Sequence, residues 1–537
     1  MNADKNKKIK LWRRILSVIF IILSVMLLYV LFWSKSVFGD VPFAQVIFHM
    51  MVPLEGADPA TISSYFAGVI PIILVTLLVV SLPFISDSKL NKKFEDWICK
   101  KFIKKNKSEN NKENKEKNNN TVRKILRAIK EFYKVHLLSI ASAALVMIIV
   151  VDIFGFGIHT WIADRFHSSK IFENYYVDSK TAEIEFPEDG EKKNIIYILS
   201  ESLEASFADT ENGGCMDENL IPYLTMLAEE NTHFSREDNL AGATEVEGTG
   251  WTIAAMVAQM SGVPLMVPIG QNAYGNYSEF LPGITTLGEV LEAEGYVNEI
   301  VIGSKSQFAG ADTFFESHGN YKIFDYYSAI EAEYIDEDYY RFWGFEDNKL
   351  FEYAKEEIRQ LESTGKPFNI MINSIDLHTP NGYVCTECQR VHGHDKNDMY
   401  EDIINCQDRQ IYEFVEWCKT QDFYEDTVII ISGDHLSMAP VVKEEYAPED
   451  YERTTYHVII NSDVEPVNTS YRDFTTMDLY PTILASIGCK IEGERLGIGT
   501  NLYSDKKTVM EEMGKETFMD EISKNSVYYN ENIVGTK

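Results

Sequence analysis

The chain has 537 residues, too many for one simple core, so at least two structural units are expected. A formal net charge of −32, with 45% hydrophobic and 12% aromatic residues, supports a large packed core. The same balance excludes a nucleic-acid partner, which needs a basic face to neutralise phosphates, and the acidity reads as an aid to solubility.

In chain order, three apolar runs come first, at about 12–33, 66–85 and 137–157. Each approaches the ~20 residues with which an α-helix crosses a ~30 Å hydrocarbon layer. No small-residue cleavage pattern follows the first run, so it reads as a retained anchor. The N-terminus carries Lys5, Lys7, Lys8, Lys10, Arg13 and Arg14, and a Lys- and Asn-rich loop at about 89–134 separates the second run from the third. The positive-inside rule keeps both basic segments in the cytoplasm, and three crossings then place everything after about 157 outside. The expectation is a multi-pass protein of the cell membrane with an extracytoplasmic catalytic domain. The low-complexity stretch around 104–120 reads as a disordered loop.

The expected domains are a membrane domain at 1–157, a linker at 158–190, a catalytic domain at 191–505 and a C-terminal tail at 506–537. Within the catalytic part, short apolar runs recur at 194–200 (NIIYILS), 298–303 (NEIVIG), 367–374 (PFNIMINS), 427–432 (TVIIIS) and 456–461 (YHVIIN). Segments of helical period lie between them, at 216–229, 285–294, 347–362 and 402–419. Short continuous apolar strands alternating with helices predict an α/β/α sandwich around a mostly parallel sheet. Such sheets gather ligands where the strands end at their carboxyl edge.

Three runs end in chemically capable residues: Ser200-Glu201-Ser202, Asp376-Leu377-His378, and Gly433-Asp434-His435. Glu201, Asp434 and His435 offer two carboxylates and an imidazole, a suitable set for Mn²⁺, Mg²⁺ or Zn²⁺. Between the first two strands lies Gly248-Thr249-Gly250-Trp251-Thr252, leading into a helical pattern. A hydroxyl at a helix start, beside a cation, can serve as a nucleophile toward phosphorus. On the residues alone, Thr249 or Thr252 is equally readable as an N-cap.

Of the seven cysteines, six lie after the third apolar run: Cys215, Cys385, Cys388, Cys406, Cys418 and Cys489. An oxidising compartment permits disulfides among them. Cys385-x-x-Cys388, followed by His392 and His394, reads as a loop-stapling disulfide, as unpaired thiols or as a small zinc site.

The order ILSES, GTGWTIAAMVAQMSGVPL, DLHTPNG and SGDHLSM resembles the sulfatase-like transferases of the alkaline phosphatase superfamily. That group includes lipoteichoic acid synthases and the phosphoglycerol transferases of osmoregulated periplasmic glucans, and the latter are the nearer match. VPFAQVIFHMMVPLEGAD at 41–58, FLPGITTLGEVLEAEGY at 280–296, WGFEDNKLF at 343–351, MDLYPTILASIG at 477–488 and RLGIGTNLYS at 495–504 add to the likeness. The resemblance implies Glu201, Thr252, Asp434 and His435 as a metal site, with Thr252 as nucleophile and Thr249 as the competing assignment. It implies His378 as a phosphoryl contact and acid–base group.

Phe308-Ala309-Gly310-Ala311-Asp312 stands where lipoteichoic acid synthases carry a tryptophan- and arginine-containing substrate segment. The arginine is missing here, and Asp312 becomes the candidate contact. A sulfatase needs Cys or Ser in a Cys/Ser-x-Pro-x-Arg context, which Thr-Ile-Ala-Ala-Met lacks. The implied activity is transfer of glycerol phosphate from phosphatidylglycerol, through a phosphothreonine, to a glycan or polyol hydroxyl, with one divalent ion, Mn²⁺ first. The rival readings are a phosphoethanolamine transferase using the same site and an inactive membrane-bound binding module.

Overall fold

In the computed structural model, residues 2–39, 41–52, 55–81, 112–188, 192–266, 280–386, 399–442, 446–448 and 450–535 are described. The chain divides into two compact units, one of Met1–Ser34 and Pro59–Ile158, the other of Lys35–Asp58 and His159–Lys537.

Among the described residues, the first four helices are α1 (Asn2–Phe38), α2 (Phe43–Met51), α3 (Pro59–Ser81) and α4 (Lys112–Gly155). Leu11–Phe38, Pro59–Leu78 and Val135–Gly155 are long and apolar enough to cross a membrane. The second span begins at Pro59 and not near 66, because Pro59 suits a first helical turn and the uncharged Ala-Thr-Ile-Ser-Ser that follows lets the helix run on. Residues 112–134, expected in a loop, are helical and continuous with the third span. Leu, Arg, Lys, Ala and Glu in TVRKILRAIKEF are good helix formers, so propensity prolongs the apolar helix. The rest of that loop lies outside the described residues.

The second unit is built on a six-stranded sheet: β1 (Asn194–Ser200), β2 (Val297–Ile302), β3 (Lys322–Phe324), β4 (Phe368–Asn373), β5 (Thr427–Gly433) and β6 (His457–Ile460). The spatial order is β3-β2-β4-β1-β5-β6, with every pair parallel except β5 and β6. The period of two divides each strand between two cores. Ile195, Tyr197 and Leu199 of β1 join Met371, Val428 and Ile430 on one face, while Ile196 and Ile198 join Ile370, Ile372, Ile429 and Ile431 on the other. Each fully buried Ile contributes roughly 1.5–3 kcal/mol, and burial on both faces is why these strands read as unbroken apolar runs.

The second face is covered by α5 (Pro222–Glu230), α7 (Asp347–Ser363) and α8 (Met399–Lys419), the first by α6 (Thr252–Ser261) and α9 (Leu479–Ser486). This is the expected α/β/α sandwich. Residues within 159–188 and 506–535 also pack on the first face: Ile171, Phe172, Met510, Phe518 and Tyr529 are buried there.

Cys406 is disulfide-bonded, and the Cys385 sulfur lies 3.4 Å from that of Cys406. Cys388, His392 and His394 fall outside the described residues, so the reading of that segment as a staple or zinc site stays with the sequence.

Candidate metal centre and active site

Register places the site. β1 and β5 are parallel with Ser200 opposite Gly433, so the next residue of each strand, Glu201 and Asp434, leaves the carboxyl edge at the same level. His435 follows directly. One donor atom from each of Glu201, Asp434 and His435 lies within 4.8 Å of the others, and all three residues are buried. The gap between the strand ends stays narrow because Gly433 carries no side chain, where a Cβ would sit 2.0 Å from the Leu203 carbonyl oxygen.

The donor set fits a divalent cation. His435 Nε2 is 3.3 Å from Asp434 Oδ2 and 3.7 Å from Glu201 Oε1. Asp434 Oδ2 and His435 Nε2 are both buried with no hydrogen-bond partner among the described residues, and buried polar atoms rarely stay unmatched because each costs about 1–3 kcal/mol. The other ring nitrogen is fixed: His435 Nδ1–H donates to the Leu436 carbonyl at 2.9 Å, which turns the Nε2 lone pair toward the carboxylates.

Backbone donors hold the acids in place. Asp434 Oδ1 accepts from the N–H groups of Ser202 and His435, each at 2.7 Å. Ser202 adopts φ 54°, a left-handed conformation uncommon for serine, and its hydroxyl donates to Glu201 Oε1 at 2.6 Å. Ser374 Oγ accepts from the Glu201 N–H at 2.9 Å, and Gln407 Nε2 donates to the Glu201 carbonyl at 3.3 Å. Burial raises the Glu201 carboxyl above its usual range. Burial, reinforced by Glu201, pushes Asp434 up to about 7. For His435 burial opposes the charged ring, but Asp434, Glu201 and Glu245 outweigh it and raise the imidazole to about 9. The cluster therefore demands positive charge.

Thr252 opens α6. Its hydroxyl donates to Glu201 Oε2 at 3.5 Å, and it is partly exposed while every later residue of the helix is buried. Trp251 at the N-cap supplies no side-chain cap, so the helix start keeps its donors for a ligand anion. Thr249 is placed differently: it is buried, its hydroxyl donates to the Val246 carbonyl at 2.9 Å, and it accepts from the Val246 N–H at 3.0 Å. Both hydrogen-bonding directions are consumed in a local turn.

His378 stands beside the cluster on the segment that follows β4. Its Nδ1–H donates to the Thr379 carbonyl at 2.9 Å, and its ring packs on Trp343 with centroids 4.6 Å apart. Burial lowers it to about 4, with the charge of His435 adding to the effect and Asp434 opposing it. Asp347, at the start of α7, sets this turn by accepting from the N–H groups of Ile375 and Asp376 at 2.8 and 3.0 Å.

Asp312 is not brought to the cluster. Its carboxylate turns back on the Thr313 N–H at 2.6 Å, and it is Phe308 of the same segment that reaches Trp343, with centroids 5.1 Å apart. The sequence reading missed Ser202, Ser374, Gln407 and Trp343. Ser202 stood inside the ILSES motif, Ser374 ends the apolar run at 367–374 and Trp343 opens WGFEDNKLF, whereas Gln407 comes from a distant helix with no signal of its own. It also missed Glu245, which accepts from the Leu436 N–H at 2.8 Å.

A family model described as Sulfatase matches residues 193–489. The chain belongs to the sulfatase family. Sulfatase-family relatives include phosphoglycerol transferase I of Salmonella choleraesuis (strain SC-B67), 32% identical over 318 residues, which are 58% of this chain and 39% of that protein. Phosphoglycerol transferase I of Salmonella typhi is 32% identical over 302 residues, 55% of this chain and 38% of the relative. The match thus spans about two fifths of the length of these curated relatives. Among solved structures, the lipoteichoic acid synthase LtaP from Listeria monocytogenes aligns at TM-score 0.46 and 17% identity, over 60% of this chain and 79% of that one. An alkaline phosphatase superfamily protein from Vibrio parahaemolyticus aligns at TM-score 0.43 and 22% identity, over 56% and 67%.

Proposed function

We propose that this sulfatase-family chain is a membrane-anchored, metal-dependent phosphoglycerol transferase working outside the cytoplasm. In this reading it moves glycerol phosphate from phosphatidylglycerol to a glycan or polyol hydroxyl. The observation that carries the reading is the accessible Thr252 hydroxyl, against Glu201 and at an uncapped helix start, beside a buried acid and imidazole that lack partners. The Salmonella relatives named phosphoglycerol transferase I support the headgroup, and three apolar helices suit a donor that stays in the bilayer.

Glu201, Thr252, Asp434 and His435 would hold the divalent ion, Mn²⁺ being the first choice. When bound, such an ion supplies Lewis-acid stabilisation of charge developing on oxygen. Glu201, which accepts from the Thr252 hydroxyl, takes its proton as Thr252 attacks phosphorus. The bond to the diacylglycerol oxygen breaks as the threonine oxygen–phosphorus bond forms, and the proton returns to Thr252 in the second displacement. The N–H groups at the start of α6 face the non-bridging oxygens. His378 donates a proton to the departing diacylglycerol oxygen. In the second displacement it accepts the proton of the incoming hydroxyl, which restores the cycle. An anionic phosphodiester beside it favours the protonated form that the first step needs.

The test is to incubate the full chain with phosphatidylglycerol and Mn²⁺, quench, and identify the modified peptide by mass spectrometry. Glycerol phosphate on Thr252, with diacylglycerol release abolished in Thr252→Ala, is the expected result. Consumption of phosphatidylethanolamine instead, or wild-type diacylglycerol release from the Ala variant, overturns the reading.

A further inference from the structure

The chain between α1 and α3 does not fold with those helices. Residues Lys35–Asp58 belong to the same compact unit as the sheet, and they touch the elements around the candidate centre in turn. Thr379, next to His378, donates its hydroxyl to the Val37 carbonyl at 2.6 Å. Gly39 lies so close to Met438, three residues after His435, that a Cβ there would stand 2.6 Å from its carbonyl oxygen. Phe48 is fully buried, with its ring 5.9 Å from Trp251, the residue before Thr252. Gly56 backs onto the Phe308 backbone, and the Tyr340 hydroxyl donates to Asp58 Oδ1 at 3.2 Å.

His49 sits at the C-terminal end of α2 within this segment. Its ring lies 5.9 Å from Phe308, Phe308 lies 5.1 Å from Trp343, and Trp343 lies 4.6 Å from His378, so an aromatic row joins the two imidazoles. His49 Nδ1 is 2.9 Å from the Gln45 carbonyl oxygen. A carbonyl only accepts, so Nδ1 carries the proton and the neutral ring presents a lone pair at Nε2. That nitrogen has no hydrogen-bond partner among the described residues, and the residue is only part-buried. Burial disfavours a protonated His49, outweighing the Gln45 carbonyl that opposes it, with His378 adding to the effect, which keeps Nε2 an acceptor.

We propose that His49 is a substrate-contacting residue whose Nε2 accepts a hydrogen bond from an alcohol hydroxyl close to the reacting phosphorus. Such a hydroxyl belongs to the glycerol headgroup of the donor or to the acceptor alcohol. The proposal rests on the phosphoglycerol transfer argued above. It also assigns the loop between the first two apolar helices to the wall of the active site.

The test uses the full chain in detergent micelles with Mn²⁺, following diacylglycerol release against phosphatidylglycerol concentration and then against glycerol as acceptor. His49→Phe keeps a ring against Phe308 and removes the acceptor; His49→Leu replaces it should that variant fail to fold. The expected result is a KM raised roughly fivefold to tenfold, the loss of one hydrogen bond to substrate, with kcat within threefold and the thermal midpoint unchanged. A rise in the phosphatidylglycerol KM assigns the headgroup, and a rise in the glycerol half-saturation assigns the acceptor. His49→Gln, which retains an acceptor oxygen, should recover most of the loss. Constants within twofold of wild type, or a fall in kcat at constant KM, overturn the proposal. A wild-type chain that releases no diacylglycerol refutes the phosphoglycerol reading itself, a distinguishable failure.

Discussion

Replacing Asp434 by Asn should stabilise the metal-stripped protein at alkaline pH while destroying its response to metal. The Asp434 carboxyl is raised from 3.8 to about 7 by burial and by Glu201. The folded state therefore binds more protons than the unfolded chain between those values, and metal-free stability falls as pH rises from about 4 to about 7. The shift corresponds to at most about 4 kcal/mol, at 1.36 kcal/mol per pKa unit. His435 adds to the slope, since its raised value of about 9 stabilises the fold at low pH and that contribution is lost as pH rises through 9.

Asn keeps an acceptor for the Ser202 and His435 N–H groups, and by removing the Asp434 charge it lowers the His435 imidazole toward the neutral form whose Nε2 accepts from the new amide. It removes the ionisation that costs stability. Thermal melts in EDTA from pH 5 to pH 9 should show the wild type losing several degrees and Asp434→Asn losing markedly less. Adding Mn²⁺ at pH 8 should restore the wild type and leave the variant unmoved. A wild-type midpoint independent of pH in EDTA, or an Asn variant less stable than wild type at pH 8, would refute the electrostatic account.

Thr249→Ala should lose about 1–2 kcal/mol in denaturant titrations, because it strips the Val246 N–H of its partner and leaves the Val246 carbonyl with only the Thr249 N–H, yet still form the covalent threonine adduct. Phe48→Ala should cost about 3–5 kcal/mol in the same measurement, since the side chain is wholly buried against Trp251 and Phe280. A single cysteine introduced at the 68%-exposed Val467 should react with a membrane-impermeant maleimide in intact cells. One at Asn106 should react only after permeabilisation, and the reverse pattern would contradict the orientation read from Lys and Arg.

The sheet was legible because strands buried on both faces must be apolar throughout, so NIIYILS and TVIIIS announce themselves. The candidate cluster was legible at one remove: parallel strands end on one edge, and Glu201 and Asp434 each follow a strand directly. What sequence could not give is register. Only the pairing of Ser200 with Gly433 makes these two acids neighbours. The choice between Thr249 and Thr252 was also hidden, because both are hydroxyls near a helix start and differ in a turn that consumes one of them. The stretch at 41–58 was singled out only as part of the family likeness, with no role for its residues. Phe48 and His49 gain meaning only from Trp251 and Phe308, far along the chain.

Three imidazoles share one device that the sequence does not betray. His435, His378 and His49 each give the Nδ1 proton to a backbone carbonyl, of Leu436, Thr379 and Gln45 in turn, at 2.9 Å. Each ring is thereby held in the tautomer that presents Nε2. The lone pair on His435 meets two carboxylates and suits a cation, whereas those on His378 and His49 have no carboxylate within hydrogen-bonding range among the described residues and suit a hydroxyl proton. One tautomer thus serves two kinds of chemistry, and the neighbours decide which: buried acids at the strand ends, aromatic rings farther out. A transferase must hold its donor alcohol and its acceptor alcohol on opposite sides of one phosphorus. In the proposed cycle His378 alternates between donating to the departing oxygen and accepting from the incoming hydroxyl, while His49, which stays neutral, holds a hydroxyl beside it.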